Sequence, residues 1–125
     1  MKPLPLLILT VMLLLALAAS GFAAGYPVAG KWGQSSSSAK GAIDCSKVRV
    51  IAFNGDQRTD SKGGVPAYRN KSVTADGATN FRVVDVFSNG QVNNANVSYT
   101  LRLVDSDHIE MNMNPGGLLK LQRCK

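Results

Sequence analysis

Histidine and cysteine are scarce in this 125-residue chain: His108 is the only histidine, and Cys45 and Cys124 are the only cysteines. A structural zinc site needs about four Cys or His ligands, and a thioredoxin-type centre needs two cysteines separated by two residues. Nucleophile-elbow, HExxH, Walker A and dinucleotide-binding motifs are also missing. We therefore predict a protein that is not an enzyme and uses neither a metal nor a cofactor. An enzymatic alternative would have to be centred on His108.

Long apolar runs are missing except at the start of the chain. After Lys2, the segment from Leu4 to Ala18 is almost entirely apolar, and small residues follow up to Ala24. This order of charge, apolar stretch and small residues is typical of a secretory signal peptide. The run is shorter than the roughly 20 residues that span a bilayer, which disfavours the alternative of a permanent membrane anchor. We predict a signal peptide at 1–23 and a secreted or periplasmic mature protein that does not span a membrane.

An exported chain with only two cysteines is most simply explained by one intramolecular disulfide. A Cys45–Cys124 bond would close a loop of about 80 residues, for which the chain-entropy model gives about 4.5 kcal/mol of stabilisation.

Acidic residues are also few, eight against 14 Lys and Arg, which gives a formal net charge of +6. Loss of Lys2 with the signal peptide would lower that charge to +5. A positive surface favours anionic partners such as lipid headgroups, lipopolysaccharide or an acidic protein, although it also serves solubility. Aromatic residues make up only 6% of the chain. Together with export, this low content argues against nucleic acid as a partner.

After the signal peptide, the hydrophobic pattern has the period of two that is typical of strands, and no window has a helical stripe. Residues 24–44 are expected to be a flexible segment with a first strand at 26–34, and 56–65 a loop. Further strands are expected in the segments 45–54, 66–75, 80–88, 96–105, 108–114 and 118–124. Turn residues separate these six or seven strands. The pattern predicts a single all-β domain, an antiparallel meander with its body at 45–125 that closes into a barrel.

The tripeptide Gly30-Lys31-Trp32 lies on the first candidate strand, and Arg123 lies on the last. This arrangement resembles the small lipocalin-like (calycin-type) barrels, in particular the compact ones that Gram-negative bacteria export, some of which inhibit hydrolases. The resemblance implies that Arg123 covers Trp32 at the closed end of the barrel. Both residues would then be structural, joined by a cation–π contact.

Two non-enzymatic functions fit such a barrel. In the first, Tyr99, Leu101, Ile109, Met111 and Met113 line a cavity for a small apolar or amphipathic ligand, because methionine adapts to irregular apolar shapes. The competing interpretation of these residues is a packed core. In the second, the protein inhibits a secreted hydrolase through a protruding loop at Asn54–Val65 or Ser35–Ala42.

Asp85 is the one acid within an apolar strand. It is either a partly buried carboxylate with a raised pKa, the partner of a neighbouring Arg, or a solvent-facing residue at a bulge.

Overall fold

A computed structural model describes residues 25–35 and 41–125, so the predicted signal peptide at 1–23 lies outside the described residues. Within this part of the chain there are eight strands and no helix. The strands are β1 (Gly30–Gln34), β2 (Val50–Asn54), β3 (Gln57–Asp60), β4 (Tyr68–Ala75), β5 (Asn80–Phe87), β6 (Ala95–Asp105), β7 (His108–Met113) and β8 (Gly117–Arg123).

Each strand pairs in the antiparallel sense with the next along the chain, and β1 pairs with β8. The sheet is therefore a closed barrel with no free edge, which confirms the predicted all-β meander and its closure. An eight-stranded antiparallel barrel is consistent with a lipocalin-like fold. In the described part of the chain, no helix has the length and apolarity needed to cross a membrane.

The strand count is higher than predicted because β3 lies in a segment that was expected to be a loop. The turn at Gly55 returns the chain from β2, and Gln57–Asp60 pairs with it over four residues. Apolar alternation is missing here because Arg58, a cation, is the buried member of β3. The strand predicted at 45–54 is shorter than expected. Residues 45–49 form a turn and irregular chain, and β2 begins only at Val50.

Three kinds of contact join the two ends of the sheet near the β1–β8 ladder: backbone pairing, a cation–π contact and the disulfide. Trp32 of β1 lies opposite Arg123 of β8 in the ladder, and the guanidinium carbon of Arg123 lies 4.3 Å from the Trp32 ring centroid. The next residue, Cys124, forms the predicted disulfide with Cys45, with 5.9 Å between the two Cα atoms. The disulfide packs directly against Gly33, where a larger residue would clash, because a Cβ at this position would lie 2.8 Å from the Cys45 sulfur.

Candidate functional site

The interior of the barrel is a packed apolar core over most of its length. Four of the five residues predicted to line a ligand cavity are at most 3% exposed: Tyr99, Leu101, Ile109 and Met111. They belong to one core cluster, against which the half-buried Met113 packs. Four surface grooves in the described part of the chain are lined by other residues. The structure thus brings the five residues together, and their role in binding a ligand stays a prediction.

A buried ion pair interrupts this apolar interior. Arg58 Nε donates a hydrogen bond to Asp85 Oδ2 at 2.8 Å, and the two side chains are 2% and 0% exposed. The Tyr99 hydroxyl donates to the same oxygen at 2.8 Å, and Asn70 Nδ2 donates to the other carboxylate oxygen at 3.3 Å. Asp85 is therefore the centre of a hydrogen-bonded network that satisfies both of its oxygens, which buried carboxylates require.

Arg58 is also enclosed by aromatic rings. Its guanidinium carbon lies 3.8 Å from the centroid of the Tyr68 ring and 4.9 Å from that of Tyr99. Such cation–π contacts strengthen when the cation is removed from water. Of the three interpretations of Asp85, pairing with an arginine is the one observed. Its partner is 27 residues away in a polar segment, so local sequence offered no sign of which arginine it is.

The strands position this polar network through a bulge in β4. The register between β4 and β5 shifts between Asn70 and Ser72, which leaves Lys71 without an opposite residue. Asn70 is buried beside Asp85, whereas Lys71 and Ser72 are both exposed. A bulge has this effect because the extra residue interrupts the alternation of the two faces.

Two tyrosines near the network have strongly perturbed hydroxyls. Burial raises the pKa of Tyr99, and the negative charge of Asp85 acts in the same direction. Burial also raises the pKa of Tyr26, again with a contribution from Asp85. The Tyr26 hydroxyl oxygen is buried and has no hydrogen-bond partner among the described residues, and its ring packs edge-on against Phe53 at 4.9 Å. Both hydroxyls therefore stay neutral at ordinary pH.

A groove opens at the rim of the barrel, at the end where the ion pair lies. Its volume is about 360 Å³. Tyr68 and Phe87 form an edge-to-face pair there, with their ring centroids 5.4 Å apart. The connections on either side are 61–67, which is exposed except for the half-buried Val65 and Ala67, and 88–94, which is exposed throughout. The groove, called the rim groove below, is lined by Asp56, Gln57, Pro66, Ala67, Tyr68, Arg69, Val86, Phe87, Ser88 and Asn94.

The rim groove combines apolar and polar chemistry. Pro66, Tyr68 and Phe87 offer apolar surface, and Arg69 and Asp56 bring opposite charges to its edge. Neither charged residue forms an ion pair with a described residue. Sequence reasoning missed this site, because its residues come from three separate stretches of chain that meet only through the pairing of β3 with β4 and of β4 with β5.

A second groove, near the disulfide, contains Lys47, Arg49 and Lys62. Two of these cations are already paired: Arg49 binds Asp60 through two hydrogen bonds of 2.6 and 3.0 Å, and Lys47 lies 3.8 Å from Asp44. This groove therefore carries less free charge than its composition indicates.

His108 forms an exposed pair with Asp105. Its Nδ1 lies 2.8 Å from an Asp105 oxygen, and this hydrogen bond lowers the pKa of the Asp105 carboxyl. None of the four grooves includes His108, and the described residues contain no group of three His, Cys, Asp or Glu placed to hold a metal ion. This hydrogen bond joins the last residue of β6 to the first residue of β7, so it stabilises the hairpin turn between them on the protein surface.

The two predicted protruding loops differ from expectation in different ways. The first part of Asn54–Val65 is the β2–β3 hairpin, and its remainder belongs to the exposed connection 61–67. For Ser35–Ala42, residues 36–40 lie outside the described residues.

Comparison with known proteins gave no relative: no family model matches the sequence, and neither a curated protein nor a solved structure is significantly similar to it.

Proposed function

We propose that this chain is an exported, non-enzymatic, lipocalin-like binding protein that holds a small amphipathic ligand in the rim groove, outside the packed interior. The observation that carries this proposal is the Tyr68–Phe87 pair at a groove of about 360 Å³. Small-molecule sites are typically clefts of about 300–1,000 Å³ with apolar and aromatic linings and a few polar groups.

The chemistry of the groove supports an amphipathic occupant. An apolar or aromatic body would pack against Tyr68 and Phe87 and remove their rings from water. An anionic group at one end of the ligand would meet Arg69, which has no acidic partner within 4 Å. A cationic group would be drawn to Asp56 instead, so an anion or a zwitterion fits the lining better than a neutral hydrocarbon.

Export is part of the proposal and rests on residues 1–23 and on the disulfide. Disulfides persist in oxidising compartments, which agrees with a secreted or periplasmic location. Intact mass measurement of the protein purified from its own source tests this directly. We expect a chain that begins at Ala24 and lacks two hydrogens relative to the reduced form. A chain that retains residues 1–23 contradicts cleavage.

Ligand binding is tested with a probe and a pair of matched variants. The probe is 8-anilinonaphthalene-1-sulfonate, an aromatic anion. Gln57 and Thr59 are exposed on the same face of β3, but only Gln57 lines the rim groove. Gln57→Trp fills the groove, and we expect it to weaken probe binding by about tenfold or more. Thr59→Trp should leave binding unchanged. Equal affinities for both variants would contradict a site in the rim groove.

A second candidate function is inhibition of a secreted hydrolase, and the exposed connection 61–67 beside a packed interior favours it. A closed barrel with an exposed loop is a scaffold that can present residues to an enzyme cleft. Inhibition assays against secreted glycosidases and proteases test it, with a variant in which the tip Lys62-Gly63-Gly64 is deleted. Inhibition that the deletion abolishes would support this function, and inhibition that survives the deletion would count against this loop as the inhibitory element.

A further inference from the structure

The positive charge of this protein is unevenly distributed once its ion pairs are counted. Among the described residues, five cationic side chains lie within 4 Å of a carboxylate: Lys47, Arg49, Arg58, Arg102 and Arg123. Lys120 is half-buried and lies directly opposite Glu110 in the ladder between β7 and β8, although Glu110 is already paired with Arg102. The uncompensated charge therefore belongs to a small number of remaining residues.

Three of these residues share the outer surface of β4 and β5. Arg69, Lys71 and Arg82 are all exposed and have no carboxylate within 4 Å in the described part of the chain. The β4 bulge contributes one of them, because it places Lys71 outside beside Ser72. The only acid of these two strands, Asp85, points into the barrel and is fully buried. The surface defined by these three cations is called the cationic face below.

The ladder fixes the size of the cationic face. Arg82 lies opposite Thr74, and Arg69 lies opposite Val86. With about 3.3 Å per residue along a strand and about 4.8 Å between strands, Arg69 and Arg82 are about 14 Å apart at the backbone, and Lys71 lies between them. Exposed hydroxyl residues surround them: Ser72 and Thr74 on β4, and Ser98 and Thr100 on β6.

We infer that the cationic face docks the protein on an anionic phospholipid surface by contact with the headgroups. Protein interfaces depend on buried aromatic or aliphatic anchors. In the described part of the chain the exposed large hydrophobic residues, Val92, Val104 and Leu118, all lie outside β4 and β5. Tyr68 and Phe87 belong to these two strands but are half-buried in the rim groove. Binding to a layer of lipid phosphates depends on charge and needs no apolar anchor. Each basic residue near an anionic bilayer contributes about fivefold to the binding constant.

Sedimentation with lipid vesicles tests this inference on the processed protein. One set of vesicles contains phosphatidylcholine alone, and the other contains phosphatidylcholine with phosphatidylglycerol. We expect binding only to the second set, and release at high ionic strength because the Debye length falls from about 8 Å at 0.15 M to about 3 Å at 1 M. Equal binding to both sets, or no binding to the anionic set, would overturn the inference.

Matched charge variants locate the contact. Arg69→Gln/Lys71→Gln/Arg82→Gln removes three charges from the cationic face, and we expect about a 100-fold loss of affinity for anionic vesicles. Lys31→Gln/Lys62→Gln/Lys125→Gln removes three exposed charges from elsewhere on the surface. Screening limits what these distant charges contribute, so the expected loss is less than about fivefold. Similar losses in the two triple variants would show attraction by net charge alone and would overturn a defined face.

Arg69 also lines the rim groove, so a further variant separates the two proposals. Lys71→Gln/Arg82→Gln leaves the groove intact and should lose about 25-fold in vesicle affinity while it binds the aromatic probe normally. Gln57→Trp should show the opposite pattern, with vesicle binding retained and probe binding lost. Loss of vesicle binding in Gln57→Trp but not in Lys71→Gln/Arg82→Gln would overturn the assignment to the cationic face.

Discussion

Arg58 and Asp85 place opposite full charges inside the barrel, where each depends on the other. A buried charge without its partner costs about 3–5 kcal/mol, far more than the net stabilisation that the intact pair provides. We therefore expect Asp85→Asn to lower the free energy of unfolding by about 3–5 kcal/mol, because the Arg58 cation would be left inside without a counter-charge. Urea denaturation followed by circular dichroism measures this loss.

Two further variants test whether the cost comes from the unpaired charge. Arg58→Met/Asp85→Leu removes both charges and fills similar volume, so it should be clearly more stable than Asp85→Asn. Glu110→Gln breaks the more exposed Arg102–Glu110 pair and should cost less than about 1 kcal/mol. If Asp85→Asn were as mild as Glu110→Gln, the ion pair would not be electrostatically isolated from water.

The tyrosines beside the network predict how stability changes at alkaline pH. The pKa values of Tyr26 and Tyr99 are raised in the folded protein, first by burial. Above the ordinary value of about 10, the unfolded chain loses protons that the folded chain retains, so stability must fall as the pH rises. We expect tyrosinate absorbance from these two residues to appear together with unfolding. Their ionisation at pH 10 in a barrel whose circular dichroism is still native would contradict this.

Individual residues of the site were predictable to different degrees. Asp85 could be singled out because a carboxylate within an apolar strand is unusual, and pairing with an arginine was one of its three interpretations. The choice of Arg58 depends on pairing across β3, β4 and β5, which local sequence does not encode. Tyr68 and Phe87 were not recognised as a pair, because they belong to neighbouring strands that come together only through the register of β4 and β5.

At the level of elements, β3 is the least securely paired strand. It has four residues and only two register pairs with β4, whereas β5 and β6 share eight. Local opening is easiest where few backbone hydrogen bonds must break. We expect amides of β3 to exchange with deuterium faster than amides of β6, as measured residue by residue by NMR. Equal protection in β3 and β6 would contradict this prediction. It would show that the buried ion pair, and not the number of ladder hydrogen bonds, determines how easily β3 opens.

Most strands that follow the two-residue period were predicted well, although the first strand begins at Gly30 and not at 26, and β2 begins at Val50 and not at 45. The segments 80–88, 96–105 and 108–114 agree with β5, β6 and β7 to within about a residue at each end, because their inward residues are apolar with Asp85 as the interruption. β3 was missed because its buried residue is charged. A pattern based on hydrophobicity cannot detect a strand whose interior contact is an ion pair.

At the scale of the whole molecule, barrel closure could be predicted because independent features of the sequence agree on it. Trp32 and Arg123 come from opposite ends of the chain and are paired across the β1–β8 ladder, and Cys124 follows immediately. The packed interior was one of two open interpretations of the residues around Met111. The alternation shows which side chains point into the barrel. It does not show whether they fill the interior or leave a cavity, because this depends on the diameter of the barrel.

The disulfide should account for a large part of the barrel's stability, because it restrains the unfolded chain over 79 residues of sequence separation. For a loop of this length the chain-entropy model gives about 4.5 kcal/mol, a large share of the 5–15 kcal/mol typical of a whole domain. We expect Cys45→Ser/Cys124→Ser to lower the free energy of unfolding by several kcal/mol in urea denaturation, with the fold retained in the absence of denaturant. Treatment of the wild-type protein with a thiol reductant should give the same midpoint as the double variant, and the reductant should leave the variant itself unchanged. If the double variant were as stable as the oxidised wild type, the β1–β8 ladder and the Arg123–Trp32 contact would be sufficient to close the barrel.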